Sequence, residues 1–222
     1  MPLPVLNIQP TMDFSQVVQD TTANTAVTIF RPNTPDGWFF FGDYCQPGTQ
    51  APLSSGFVVQ VVTDVPTSPA LAAPTGWNFV TGGFTSLFPI SQIGMYACWA
   101  PVAPQGYVGC GHVWTSVPLS EAEREMFARS ETDGGPPKIP DRMALDSFPP
   151  PNIPNFRCLN ANVAKSYPLT SLIWDDHGSG CNLDTSCWSI APLATFFVWP
   201  QNGVTPTVSS YIPSQPIPES PF

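Results

Sequence analysis

The densest chemistry in this chain lies at Trp174-Asp175-Asp176-His177-Gly178-Ser179-Gly180-Cys181-Asn182-Leu183-Asp184. Acids, a histidine and glycines crowd one short stretch, flanked by apolar runs that read as strands at Leu169–Trp174 and Thr185–Ile190. Three chemistries suit these residue types. In one, the glycines supply positive φ and the acids cap turn amides, so the stretch is a tight loop and nothing more. In another, the backbone amides at Gly178 and Gly180, with Asp175, Asp176 and Asp184 as acceptors, bind the hydroxyls of a neutral polyol. Trp174 or Trp188 then offers a ring face to the apolar side of a sugar. In the third, Asp175, Asp176 and Asp184 collect oxygens around Ca²⁺, at a spacing that is not an EF-hand's. No Lys or Arg lies in the loop, which disfavours a phosphate.

Catalytic constellations are thin. Ser179, His177 and Asp176 supply the types of a hydrolytic triad, but neighbours along one loop seldom face each other. There is no nucleophile elbow, P-loop or dinucleotide fingerprint. The expectation is a non-enzymatic protein with no cofactor. Two histidines and the lack of a C-x-x-C pair argue against zinc. The six cysteines (Cys45, Cys98, Cys110, Cys158, Cys181, Cys187) are expected mostly as buried thiols; if oxidised, Cys181–Cys187 is the first bridge to consider.

The elements that hold this loop announce themselves through a repeated phrase. It runs from Phe30 through Pro32, Pro35, Gly37, Trp38 and Gly42, and again from Trp99 through Pro101, Pro104, Gly106, Tyr107 and Gly111. A degenerate third copy begins at Trp188 and keeps the later aromatic pair, Phe196-Phe197, but neither glycine. Repetition of this kind means repeated architecture. It places Phe30, Trp99 and Trp188 at equivalent core positions of three sheets. Gly42-Asp43 and Gly111-His112 fall at matching strand ends.

Composition agrees. Twenty-nine prolines among 222 residues exclude long helices and long central strands, while 42% hydrophobic content suffices for a core. The expected architecture is therefore all-β, as one domain over 1–222. It has an extended lead-in at 1–22 and a proline-rich tail at 205–222, polyproline-like over 213–218. Ser120 and Glu123 have the spacing of a capping box, which predicts a short helix near 120–130.

A net charge of −9 with two lysines speaks against a nucleic-acid partner and against electrostatic attachment to anionic lipid. No stretch has the length of a membrane span, and the N-terminal MPLPVLNIQPTMDF lacks the basic and apolar regions of a signal peptide. A cytoplasmic location is expected, with export by an unconventional route as the alternative.

Four phrases carry a family resemblance: PDGWFFFGDYCQPGTQAPLSSGFVVQV (35–61), YACWAPVAPQGYVGCGHVWTS (96–116), RCLN (157–160) and IWDDHGSGCNLDTSCWSIAP (173–192). In this order they resemble the vacuolar-protein-sorting-associated-protein-62 family of plants and fungi. Ile190-Ala191 departs from the Arg-Pro that many family copies keep there. The resemblance implies a β-prism-like fold, three antiparallel sheets around a pseudo-threefold axis. The spacing Gly180-x-x-x-Asp184 also resembles a loop of jacalin-type lectins. A lectin-like module binding a glycan or glycoconjugate is thus the leading expectation. A defence or toxin-like protein engaging a membrane or receptor, and a trafficking or structural protein with a protein partner, are the alternatives.

Overall fold

Short apolar runs cut by proline give short strands, and the fold is assembled from small antiparallel sheets. The computed structural model describes residues 3–21, 25–84, 94–117, 119–122, 124, 125, 149–176, 185–201 and 204–219. Three sheets are built alike. The first joins β2 (Phe14–Asp20), β3 (Val27–Pro32) and β4 (Tyr44–Pro47). The second joins β7 (Gly76–Phe84), β8 (Met95–Val102) and β10 (Val113–Val117). The third joins β13 (Leu172–Asp175), β14 (Ser186–Ile190) and β15 (Thr195–Trp199). In each, the middle strand is the second in chain order.

The likeness extends to single residues. Each first strand carries one bulged residue, Val17, Val80 or Ile173, where the register shifts against the middle strand. The residue opposite the bulge is Phe30 in β3, Trp99 in β8 and Trp188 in β14. These three are buried, at 6%, 4% and 4% exposure. They point away from the core that the sheets share. That core is made by their neighbours Ile29, Cys98 and Cys187 with Cys45, Trp114 and Val198 of the third strands. The three bulged aliphatic residues pack against it. A bulge adds twist at one point of a strand, so the same bulge in each sheet turns all three around the same core.

Other strands cover the outer faces. β1 (Val5–Thr11) pairs with β5 (Gly56–Thr63), and β12 (Ala164–Pro168) with β16 (Ser209–Pro213). β6 (Leu71–Ala72), β9 (Tyr107–Val108) and β11 (Cys158–Asn160) form a further small sheet. Phe40 and Phe156 pack with Trp99 over the second sheet, and Phe57, Val59 and Leu159 with Trp188 over the third. The segment expected as a lead-in therefore contributes β1 and β2, and the proline-rich tail contributes β16. Before β4, Phe39 and Phe40 form isolated bridges to Val59 and Phe156. Arg124 N–H donates to the Ser120 carbonyl in a helical turn, and most of the helix expected near 120–130 lies outside the described residues. Among the described residues, no helix is long and apolar enough to cross a membrane.

Candidate functional site: the hairpin end of the three sheets

In each sheet the first strand runs into a connection to the second: 21–26, 85–94 and 176–185. The stretch singled out in the sequence is the third of these. Cross-sheet hydrogen bonds tie the three hairpin bases together. Tyr96 Oη donates to Asp20 Oδ2 at 2.8 Å, joining the second sheet to the first. The Thr81 and Thr185 hydroxyls lie 3.0 Å apart, joining the second to the third. Trp174 Nε1 donates to the Thr25 carbonyl at 2.7 Å, joining the third to the first. The ring of contacts closes. A buried hydroxyl or indole N–H without a partner would cost about 1–3 kcal/mol, so each bond fixes where its hairpin starts.

Asp176 shuts the base of its own hairpin. Its amide donates to the Thr185 carbonyl at 3.0 Å, and its Oδ1 accepts the Thr185 amide at 3.1 Å. Asp175 and Asp176 are buried. Trp174 is buried too, at 4% exposure, and packs in the shared core, so its indole is not an open platform for a sugar ring. Trp188 is equally enclosed, its Nε1 donating to Ser186 Oγ at 2.8 Å. Gly178, Gly180 and Asp184 lie outside the described residues, as do His177 and Ser179. Among the described residues no three His, Cys, Asp or Glu side chains gather as metal ligands.

The opposite end of the sheets holds polar residues that the repeat marked without explaining. Gly42, Gly111 and Thr195 meet there. A Cβ on Gly42 would lie 3.1 Å from Gly111 Cα and 3.2 Å from Thr195 Cβ. Only one side chain fits where three backbones converge, and the degenerate copy supplies it. Thr195 Oγ1 donates to the Cys110 carbonyl at 3.1 Å. Asp43 N–H donates to His112 O and His112 N–H to Phe196 O, both at 3.0 Å, linking the three copies in sequence.

Side chains then stand in for absent strands. Asp43 is held by Arg31, Nε to Oδ1 at 2.8 Å and Nη2 to Oδ2 at 2.9 Å. The pair satisfies both backbone groups of Trp114: its amide donates to Asp43 Oδ2 at 2.8 Å, and its carbonyl accepts from Arg31 Nη2 at 2.6 Å. Burial pushes the Asp43 carboxyl above the usual carboxylate range, against the pull of Arg31 and of the Trp114 amide. His112 does for the third sheet what Asp43 does for the second. Its Nδ1 accepts the Val198 amide at 3.1 Å, so the proton of the neutral ring sits on Nε2. Burial holds the His112 pKa down at about 3. Aligning the phrases Gly42-Asp43 and Gly111-His112 is the sequence signal that could have found this pair.

The five described cysteines are free and buried. Cys187, the half of the considered bridge that is described, neighbours Cys45; a hydrogen bond between the two, then burial, raises its pKa well above the usual thiol value. Burial likewise takes the Cys158 thiol up to about 12, with Arg157 opposing.

Sequence and structure together define an all-β protein of several small antiparallel sheets. The chain belongs to the vacuolar protein sorting-associated protein 62 family, whose profile matches residues 2–131. A search of curated proteins returns no match. Among solved structures, GNIP1Aa from Chromobacterium piscinae superposes with a TM-score of 0.67 at 20% identity, over 93% of this chain and 37% of that one. That likeness is one of fold. The chain spans little more than a third of GNIP1Aa's length.

Proposed function

We propose that this chain is a non-enzymatic β-prism-like binding module, with its three similar sheets set around a pseudo-threefold axis and its hairpin end presented to a neutral glycan. The observation that carries this reading is the closed ring of hydrogen bonds at the hairpin bases. Hairpin bases tied to one another favour recognition, because less ordering entropy is lost on binding. The acidic charge and the two lysines fit a neutral partner better than nucleic acid. His112, the described histidine, is committed to a backbone amide and shielded from solvent, which suits a structural role rather than proton transfer. Free thiols at five cysteines fit residence in a reducing, cytoplasmic compartment.

On this reading Asp176 positions the loop and Asp184 faces the ligand. Asp184→Asn preserves shape and removes charge. It should weaken a sugar by about 1.5–3 kcal/mol, one charge-assisted hydrogen bond, with the melting temperature unchanged. The test is a glycan array and liposome flotation on the intact chain, repeated on the variant. Flotation without sugar hits would favour a membrane-engaging protein instead. Sugar affinity unchanged beside a lowered melting temperature would make Asp184 a turn cap and sink the site.

A further inference from the structure

We propose that the outer face of the β2-β3-β4 sheet is a separate binding surface for a neutral saccharide ring. The outer faces of the other two sheets are covered, by Phe40 and Phe156 in one case and by Phe57, Val59 and Leu159 in the other. The first sheet's outer aromatic residues, Phe14, Phe30 and Tyr44, belong to none of the buried clusters. Phe30 is buried beneath, while Phe14 and Tyr44 are partly exposed. The rings form one floor. Phe14 and Tyr44 lie 5.6 Å apart between centroids and 35° from parallel; Phe30 and Tyr44 lie 6.3 Å apart and 30° from parallel.

Polar groups edge that floor. Gln16 pairs directly with Phe30, which places its exposed amide on the same face. Among the described residues, neither the Gln16 amide nor the Tyr44 hydroxyl makes a side-chain hydrogen bond. The Gln46 carboxamide raises a wall at one side: Nε2 donates to the Gln50 and Ala51 carbonyls at 2.9 and 3.1 Å, and Oε1 accepts the Leu53 amide at 3.0 Å. Gly56 packs against the Phe14 ring at another edge, where a Cβ would lie 2.9 Å from the ring.

Charge selects the ligand. Arg31, the one cation in these strands, is turned to the opposite face and committed to Asp43, so the floor offers nothing to an anion. Two partly exposed rings, Phe14 and Tyr44, over a buried third that is tilted 59° from Phe14, with a free phenol and a free amide at their margin, fit a pyranose. Such a ring has an apolar face for stacking and equatorial hydroxyls directed outward. This surface shares a ligand class with the hairpin-end reading and none of its residues.

The test is calorimetric titration of the intact chain with three neutral tetrasaccharides: β-1,4-linked N-acetylglucosamine, β-1,3-linked glucose and α-1,2-linked mannose. Decaproline and phosphatidylcholine vesicles serve as competing probes. At least one tetrasaccharide should bind. Tyr44→Ala should weaken it about tenfold or more, and the milder Tyr44→Phe and Gln16→Ala by a few-fold each. Tyr44→Phe and Gln16→Ala should leave the melting temperature unchanged, and Asp184→Asn should leave this binding intact. Loss on Asp184→Asn alone would overturn the sheet-face site and leave the hairpin-end reading standing. Loss on the Tyr44 variants alone would do the reverse. No tetrasaccharide binding, or sensitivity of decaproline or vesicle binding to the Tyr44 variants in its place, would overturn the proposal.

Discussion

His112 shows how one side chain carries a term in the stability of the whole fold. Its ring is neutral when folded because burial penalises the cation and because Nδ1 must accept the Val198 amide. The unfolded chain has an ordinary imidazole and takes up a proton below about pH 6.5. The folded state resists protonation down to about pH 3. Stability from this residue is therefore full above pH 6.5 and is lost progressively as pH falls toward 3. At pH 4.5 the loss should amount to about 2–3 kcal/mol, at roughly 1.4 kcal/mol per pH unit. His112→Asn keeps an acceptor for Val198 and removes the titration. Urea midpoints at pH 7 and 4.5 should fall less for this variant than for the native chain; equal falls would assign the acid sensitivity to other groups. Asp43, doing the corresponding work beside Arg31, is an acid whose pKa is raised, so it cannot mimic this profile.

At the scale of elements, the junction of Gly42, Gly111 and Thr195 explains why the repeat is unequal. Two copies have glycine because the third has a side chain. Gly111→Ala would bring a methyl to 3.0 Å from the Phe41 carbonyl and 3.1 Å from Thr195 Cβ. Overpacking of this kind costs about 1–3 kcal/mol. Removing the opposing Thr195 Cβ and hydroxyl with Thr195→Gly should recover part of that loss in the double variant, because the two sites share one volume. A double-mutant cycle by chemical denaturation measures the coupling; strictly additive losses would show that the junction is not where the strain lies. The turn glycines are required for another reason. Gly37 and Gly106 have φ of 76° and 84°, and each precedes an aromatic residue whose amide closes a turn to Pro35 or Pro104 at 3.0 Å. In the third copy the left-handed position comes a residue earlier, six after the opening aromatic rather than seven, and Ala194 takes it at φ 49°.

For the whole molecule, the three sheets meet in a core that uses cysteine where other proteins use valine. Cys45, Cys98 and Cys187 are small, buried and apolar in behaviour, and they let the bulky Trp114 and Trp174 fit between the sheets. Burial shields all three from reagents, as it does Cys110 and Cys158. Thiol titration of the native chain should therefore find the five described cysteines silent, and titration after denaturation without reductant should find at least five. Fewer than two after denaturation would overturn both the thiol state and the reducing location.

Much of this was legible in the sequence, and the limit has a physical basis. Proline density and alternating apolar runs determined an all-β chain of short strands, since proline removes the donor that helices and central strands need. The repeated phrase located Phe30, Trp99 and Trp188 at one register position in three sheets, because bulge, aromatic and turn are local features with fixed spacing. Only the tertiary structure decided that 1–22 supplies strands and that Trp174 faces inward, with Asp176 as a clamp. It alone joined Tyr96 to Asp20, Thr81 to Thr185 and Trp174 to Thr25, across 76, 104 and 149 residues. A hydrogen bond between distant residues has no spacing rule: it exists because three sheets close around one core, and that closure is a property of the packed chain rather than of any segment within it.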